Sequence, residues 1–215
     1  MLEAIFAPQS VAVIGASPDP TRLGHTVLRN IVENGFPGAV FPIHPAAPEI
    51  LGRRCYASVL AVPEPIDLAV IVIPPRHVLA VVDECGRKGV RGLVVITAGF
   101  KEVGGEGRES ERRLAAVARS YGMRLLGPNS LGLIDTHSRL NASFAALMPD
   151  PGNIALMSQS GAICTAILDW SKARGLGFSR FVSLGNKADI DEVTLLHAWS
   201  RDPQSRVILA YLEDI

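Results

Sequence analysis

Apolar residues in this chain come in short, nearly unbroken runs separated by segments of helical period. Eight runs stand out, at residues 10–15, 39–43, 67–73, 92–98, 123–127, 153–158, 178–184 and 206–212. They are rich in Val, Ile and Leu and scarcely alternate with polar residues, as strands buried on both faces of a parallel sheet do. Between them, residues 24–35, 75–89 and 107–122 carry one-sided apolar patterns that stop at a glycine, which predicts helices. In the first of these, Val27, Leu28, Ile31 and Val32 form the apolar face and Gly35 the stop. Strand, helix and strand in repetition predict an open, doubly wound α/β sheet.

Residues 128–152 break the rhythm with mixed periodicity and end in Pro149-Asp150-Pro151-Gly152, a strong punctuation. The expected organisation is a first α/β unit over 1–127, a crossing segment over 128–152 and a second α/β unit over 153–215. Three strands are few for a parallel α/β unit, so the second one reads as part of something larger.

With 215 residues, 48% hydrophobic and 20% charged, the chain can build a real core. Lysine plus arginine equals aspartate plus glutamate at 21 each, which argues against a nucleic-acid partner. The three cysteines, Cys55, Cys85 and Cys164, show neither metal spacing nor a disulfide framework, which points to a reducing, cytoplasmic setting. The start lacks the pattern of a signal peptide, and no apolar stretch reaches the ~18 residues of a membrane span.

Candidate chemistry sits where strands hand over to helices. After the first strand come Gly15, Ala16 and Ser17. A tight glycine turn leading into a helix N-terminus makes an anion site, because backbone N–H groups and the helix dipole face outward. Alternatively, Gly15 serves only helix–sheet packing. The next glycine is Gly24, so the dinucleotide pattern G-x-G-x-x-G is absent. The second strand ends in His44-Pro45-Ala46 with no acid before Glu49, which further disfavours a nicotinamide cofactor. Other strand ends converge on the same crevice: Pro74 and Pro75, then Thr97, Ala98 and Gly99, then residues 127–132. A second small-residue turn, Ser158-Gln159-Ser160-Gly161, opens another helix; it is either an N-cap or an anion site. In 184–192, Lys187 following Asn186 is placed to neutralise a carboxylate or acyl phosphate, or Asp191 simply caps a helix. His197 reads as a helix-surface residue, and His25 lies near the first turn.

Taken together, the stretches LEAIFAPQSVAVIGAS, DLAVIVIPP, VVITAGFKEVG, MRLLGPNSLGLI, NIALMSQSGAICTAILDW, GFSRFVSLGNKADID and VILAYLEDI resemble the ADP-forming acyl-CoA synthetases, relatives of the succinyl-CoA synthetase α subunit. The resemblance runs over the whole chain. It implies a Rossmann-like CoA-binding domain followed by the start of a flavodoxin-like ligase domain. It also implies a reaction in which acyl-CoA, ADP and phosphate give the acid, CoA and ATP through an acyl phosphate and a phosphohistidine. By position, Gly15, Ala16 and Ser17 match the turn that cradles CoA phosphates. Pro74, Pro75, Thr97, Ala98 and Gly99 match the loops of the cleft, and Pro128 and Asn129 the element near the thiol end. Ser158, Ser160 and Gly161 match the turn holding the phosphoryl group, and Glu213 the acid that orients the phosphohistidine.

The phosphohistidine itself is missing, because none of His25, His44, His77, His137 and His197 has a Ser-His-Thr-Gly-like setting. No P-loop is present either. The histidine, the ATP-grasp part, and with it ADP, ATP and Mg, are therefore expected from further ligase domains in cis or a second subunit. A homo-oligomer is also compatible with the faces such parts would cover. Ser130 stands where the family commonly has cysteine, and His44-Pro45-Ala46 where relatives carry Asn and a basic residue that grips the CoA 3′-phosphate. Arg22, Arg53, Arg54 and Arg76 are the candidate substitutes, since guanidinium forks suit phosphate. Asp214 replaces a common glycine beside Glu213, and a second carboxylate there repels a phosphoryl group. The missing histidine and Asp214 favour the alternative, a CoA- or acyl-CoA-sensing module of an acetyltransferase-like fusion, while the intact Ser158-Gln159-Ser160-Gly161 turn and Glu213 favour the ligase.

Overall fold

The computed structural model describes residues 2–214; Met1 and Ile215, the end residues of the two outer predicted units, lie outside the described residues. In chain order the elements are α1 (Glu3–Phe6), β1 (Ser10–Ile14), α2 (Leu23–Glu33), β2 (Ala39–Ile43), β3 (Glu49–Ile50), β4 (Arg53–Arg54), β5 (Leu68–Ile71), α3 (Pro75–Lys88), β6 (Gly92–Val95), α4 (Glu106–Ser120) and β7 (Arg124–Leu126). There follow β8 (Gly132–Asp135), β9 (Leu140–Ser143), β10 (Pro151–Ser158), α5 (Gly161–Ala173), β11 (Phe178–Ser183), α6 (Glu192–Trp199) and β12 (Val207–Tyr211).

The first sheet has the order β2-β1-β5-β6-β7, with every pair parallel. Its strands are buried almost throughout, which is why their sequences do not alternate. The chain runs from β1 to β2 on one side and returns to β5 on the other, so the switch point falls between β1 and β5. The second sheet has the order β12-β10-β11-β8-β9; β10, β11 and β12 are parallel, and β8 and β9 form an antiparallel hairpin against β11. All eight apolar runs are thus strands. The β8–β9 hairpin within 128–152 and the small β3–β4 hairpin carry no comparable signal.

The helices end as their sequences require. Pro75 occupies the first turn of α3, where its missing N–H is no loss, and Gly89 closes that helix at φ 85°. Asp191 caps α6 by accepting the Thr194 N–H at 2.8 Å.

One apolar core spans both sheets, joining Val11, Val13 and Leu126 to Leu133, Met157, Val182 and Trp199. Helix α2 is wedged at the junction. The buried Asn30 side chain donates to the carbonyls of Ser143 (2.9 Å) and Ala145 (2.8 Å), fastening the helix behind the first turn to the second sheet. A burial of this kind fixes where the two sets of strand ends face each other.

Candidate functional site

The turn after β1 is tight because the chain leaves no room for side chains. Gly15 has φ 91°, and a Cβ there would stand 2.2 Å from the Val72 carbonyl oxygen. A Cβ on Gly24 would stand 1.8 Å from the Gly15 carbonyl oxygen, so the first turn of α2 lies directly on the glycine turn. Arg22 precedes α2 and supplies no side-chain cap. Its side chain is 75% exposed and paired with Asp19 at 3.7 Å. Thr21 hydrogen bonds hold the Asp19 carboxyl below the usual range. His25 is turned away: its Nδ1 donates to the Ser17 carbonyl at 2.9 Å.

The turn after β10 is held differently. Ser158 is fully buried, and its Oγ donates to the Ser160 carbonyl (2.9 Å) while accepting the Ser160 N–H (3.1 Å). Ser160 caps α5 by accepting the Ile163 N–H at 3.3 Å. Among the described residues no acceptor meets the N–H groups of Gly161 or Ala162. A Cβ on Gly161 would meet no atom within 4 Å. Nothing in the protein demands glycine here, and the space it leaves is lined by unpaired N–H groups.

Both turns open onto one cavity of about 1120 Å³, above the roughly 300–1,000 Å³ of common small-molecule sites. Gly15, Ala16, Ser17 and Arg22 line it from the first turn, and Gly161 lines it from the second with its neighbours Gln159 and Ala162. Pro74, Thr97, Ala98 and Asn129 line it as well. The loops are tied to one another: Asn129, at φ 57°, donates its N–H to the Thr97 carbonyl at 2.9 Å, and the Thr97 Oγ1 accepts the Ile73 N–H at 3.2 Å. Ser130 also lines the cavity, its Oγ donating to the Ser183 carbonyl at 2.7 Å.

Six predicted residues lie outside the lining of the cavity. Pro75 packs against the position a Gly99 Cβ would take, and Gly99 itself has φ 105°. Pro128 follows a cis peptide and accepts the Asn186 N–H at 2.9 Å. Ser158 and Ser160 shape the second turn as described. Glu213 is exposed just beyond β12, with its N–H donated to the Gln159 Oε1 at 2.6 Å.

Asn186 and Lys187 do not reach the cavity wall. Asn186 is buried and donates to Glu102 (2.6 Å) and Glu111 (2.7 Å). Lys187 Nζ lies 3.2 Å from the Glu192 carboxylate, 3.1 Å from that of Asp214 and 2.8 Å from the Asp214 carbonyl. Burial works against the Lys187 ammonium, but these partners outweigh it and raise its pKa above 10.5. Gln159 and Lys187 together hold the Asp214 carboxyl below its ordinary 3.8.

Several lining residues escaped the sequence reading. Gln159 sat inside a turn read for its serines, and Thr165 lies one helical turn beyond Gly161 on the same face of α5, a spacing that was available. His44 lines the cavity and turns its Nδ1 to accept the Ala47 N–H at 2.8 Å. Phe144 arrives from the β9 exit and has no local signal.

The residues at the two turns suit anionic groups. The cleft brings a crowded glycine turn beside an exposed arginine together with a glycine cradle with open N–H groups. The chain belongs to the CoA-binding domain family, whose model matches residues 9–136, and residues 151–215 match the succinyl-CoA ligase-like flavodoxin domain. It is 50% identical over 214 residues to acetate–CoA ligase [ADP-forming] I of Archaeoglobus fulgidus, covering all of this chain and 31% of that protein. It is 45% identical over 218 residues to acetate–CoA ligase [ADP-forming] I subunit alpha of Pyrococcus furiosus, covering all of this chain and 47% of that subunit. Its structure superposes with a TM-score of 0.97, at 47% identity, on the dinucleotide-forming acetyl-coenzyme A synthetase 1 of Ca. Korarchaeum cryptofilum in complex with phosphate and ADP, covering 46% of that chain. The chain thus spans about a third to a half of the length of these relatives, and its own two units are Rossmann-like and flavodoxin-like. Among the described residues no helix is long and apolar enough to cross a membrane.

Proposed function

We propose that this chain is the CoA-binding part of an ADP-forming acyl-CoA synthetase, which interconverts acyl-CoA, ADP and phosphate with the acid, CoA and ATP. The observation that carries it is the single cavity shared by the turn after β1 and the turn after β10. In this reading residues 1–127 form the CoA-binding unit, 128–152 the crossing segment and 153–215 the first part of the ligase unit. Gly15, Ala16, Ser17 and Arg22 hold the phosphates of CoA. Pro74, Pro75, Thr97, Ala98 and Gly99 shape the path of its pantetheine, and Pro128 and Asn129 lie toward the thiol. The N-terminus of α5, with Ser158, Ser160 and Gly161, holds inorganic phosphate or the phosphoryl group in transit, because unpaired N–H groups and the helix dipole favour a dianion there. Glu213, whose carboxylate is exposed beside this turn, serves a histidine supplied by another part. The ATP-grasp part, with ADP and Mg, is likewise supplied in cis or by a second subunit. Three free cysteines, two of them buried with thiols pushed up to about 12, accord with a reducing, cytoplasmic setting.

Asp214 weighed for a sensor when read as a free second carboxylate. It is paired with Lys187 and Gln159, so the repulsion it was expected to exert on a phosphoryl group is offset. The site residues therefore support the ligase reading over the sensing one. Calorimetric titration with CoA, 3′-dephospho-CoA and NAD tests it. CoA is expected to bind and NAD not, and saturation at 100 times the dissociation constant raises stability by about 2.7 kcal/mol. A folded chain that ignores CoA would overturn the reading.

A further inference from the structure

Behind the middle of the cleft, one amide holds two carboxylates. The Asn186 Nδ2 donates to Glu102 Oε2 (2.6 Å) and to Glu111 Oε2 (2.7 Å), and its Oδ1 accepts from the Asn129 Nδ2 at 3.2 Å. An amide has two donor hydrogens, so each carboxylate receives one, and only the NH2 end can face two anions. The same carboxylates gather the backbone of the loop after β6. Glu102 accepts the N–H groups of Gly99 and Phe100, and Glu111 accepts that of Lys101 at 3.1 Å. Burial opposes ionisation of Glu102, yet Asn186 and these N–H groups bring its pKa below 4.5.

The geography gives this cluster its meaning. Glu102 and Glu111 belong to the first-sheet half, on the 3-10 turn at Lys101–Val103 and on α4. Asn186 belongs to the loop leaving β11 of the second sheet, the loop whose Leu184 N–H is donated to the Ser158 carbonyl at 2.8 Å. Asn129 and Ala98, the two residues flanking the cluster, line the cavity. We propose that Asn186 is a positioning residue, an inter-sheet latch that sets the 98–99 loop and Asn129 against the second turn, so that a ligand spanning the cleft meets both halves in register. Asn186 touches no ligand itself, since both its hydrogens and its carbonyl oxygen are engaged. The consequence for affinity rests on the CoA reading; the latch does not.

Two readouts test it. The variants are Asn186→Ala and Asn186→Asp, the second keeping the shape while removing the donor hydrogens. In the ligand-free chain, amide exchange at Gly99 and Phe100 is expected to quicken about tenfold or more in either folded variant, while exchange in the β1 and β5 cores stays slow. Unchanged exchange at Gly99 and Phe100 overturns the latch. Calorimetry then compares CoA, which spans the cleft, with adenosine 3′,5′-bisphosphate, which reaches only the first turn. CoA affinity is expected to fall about tenfold and the fragment's to hold. Equal losses for both would show general loosening rather than positioning, and no loss for CoA would show that the latch does not serve the cleft; either overturns the proposal. A wild-type chain that binds no CoA removes the CoA reading, and the exchange measurement then decides the latch on its own.

Discussion

The two turns that face each other across the cleft use glycine for opposite reasons. At Gly15 the fold requires it. The φ of 91° and the Val72 carbonyl at 2.2 Å from any Cβ leave no alternative, and Gly24 repeats the demand from the helix side. At Gly161 the fold is indifferent, because a side chain there would enter open space. The first turn is a structural joint that also lines the cavity, while the second presents backbone that no protein contact explains. A glycine that packing accounts for says little about function. One that packing does not account for, at a helix N-terminus with open N–H groups, points to a ligand.

Substitution separates the two cases. Gly15→Ala is expected to be the most damaging single change, at about 2–4 kcal/mol of stability, since strain at positive φ adds to a backbone clash. A urea midpoint within error of wild type would break the contrast. Gly161→Ala is expected to leave the midpoint unchanged or slightly raised, because alanine favours a helix over glycine by up to about 1 kcal/mol. Its phosphate affinity, measured by calorimetry, is expected to drop about tenfold, near 1.4 kcal/mol, as the methyl fills the cradle. Stability lost at Gly161 with phosphate binding kept would invert the assignment.

The same contrast marks what the sequence could tell. Strands buried on both faces announce themselves as apolar runs, and β1, β5 and β10 lie where those runs are. The β8–β9 hairpin was hidden because its buried positions include Asp135, Asn141 and Ser143, which read as loop. They are tolerated inside because each is answered: Arg180 lies 2.9 Å from Asp135, and the Ser143 Oγ donates to the Asn141 Oδ1 at 2.5 Å. The convergence of strand ends was legible from the α/β rhythm, so the cavity's location followed. Asn186 was legible only as a polar residue after a strand. Its partners Glu102 and Glu111 lie 84 and 75 positions away, and no local pattern connects them.

Smaller effects probe how each turn is fastened. The first is joined to its neighbouring strands through backbone, with the Gly15 N–H donated to the Ile43 carbonyl at 3.2 Å and the Val72 N–H to that of Ile14 at 2.8 Å, and His25 adds its bond to the Ser17 carbonyl. The second relies on side chains, and Ser160→Ala is expected to cost about 1 kcal/mol through loss of the α5 cap, read by urea unfolding. No comparable side chain exists to remove from the α2 start, where Arg22 gives no cap.

The least of these effects concerns the exit of β12, which the second turn holds through Gln159. The Gln159 Oε1 accepts the Glu213 and Asp214 N–H groups, its Nε2 donates to the Asp214 carboxylate, and Lys187 completes the grip. Asp214 has its pKa lowered from 3.8, so its contribution is present above that value and lost as pH falls through the lower, folded one. Lys187 has its pKa raised from 10.5, so its contribution is present below that value and lost as pH climbs through the higher, folded one. The fastening is therefore whole across the neutral range and opens only in acid below 3.8 or in base above 10.5. Because Asp214 is exposed to solvent, Asp214→Asn is expected to leave the urea midpoint in place at neutral pH. The Gln159 side-chain amide resonances, followed by NMR, are expected to titrate below pH 3.8 in the wild type and to stay flat in the variant. An inflection at or above that value, or one that survives the substitution, would mean that the Asp214 carboxylate is not held by the turn, and the grip on the β12 exit would then rest on the bonds from the Glu213 and Asp214 N–H groups to Gln159.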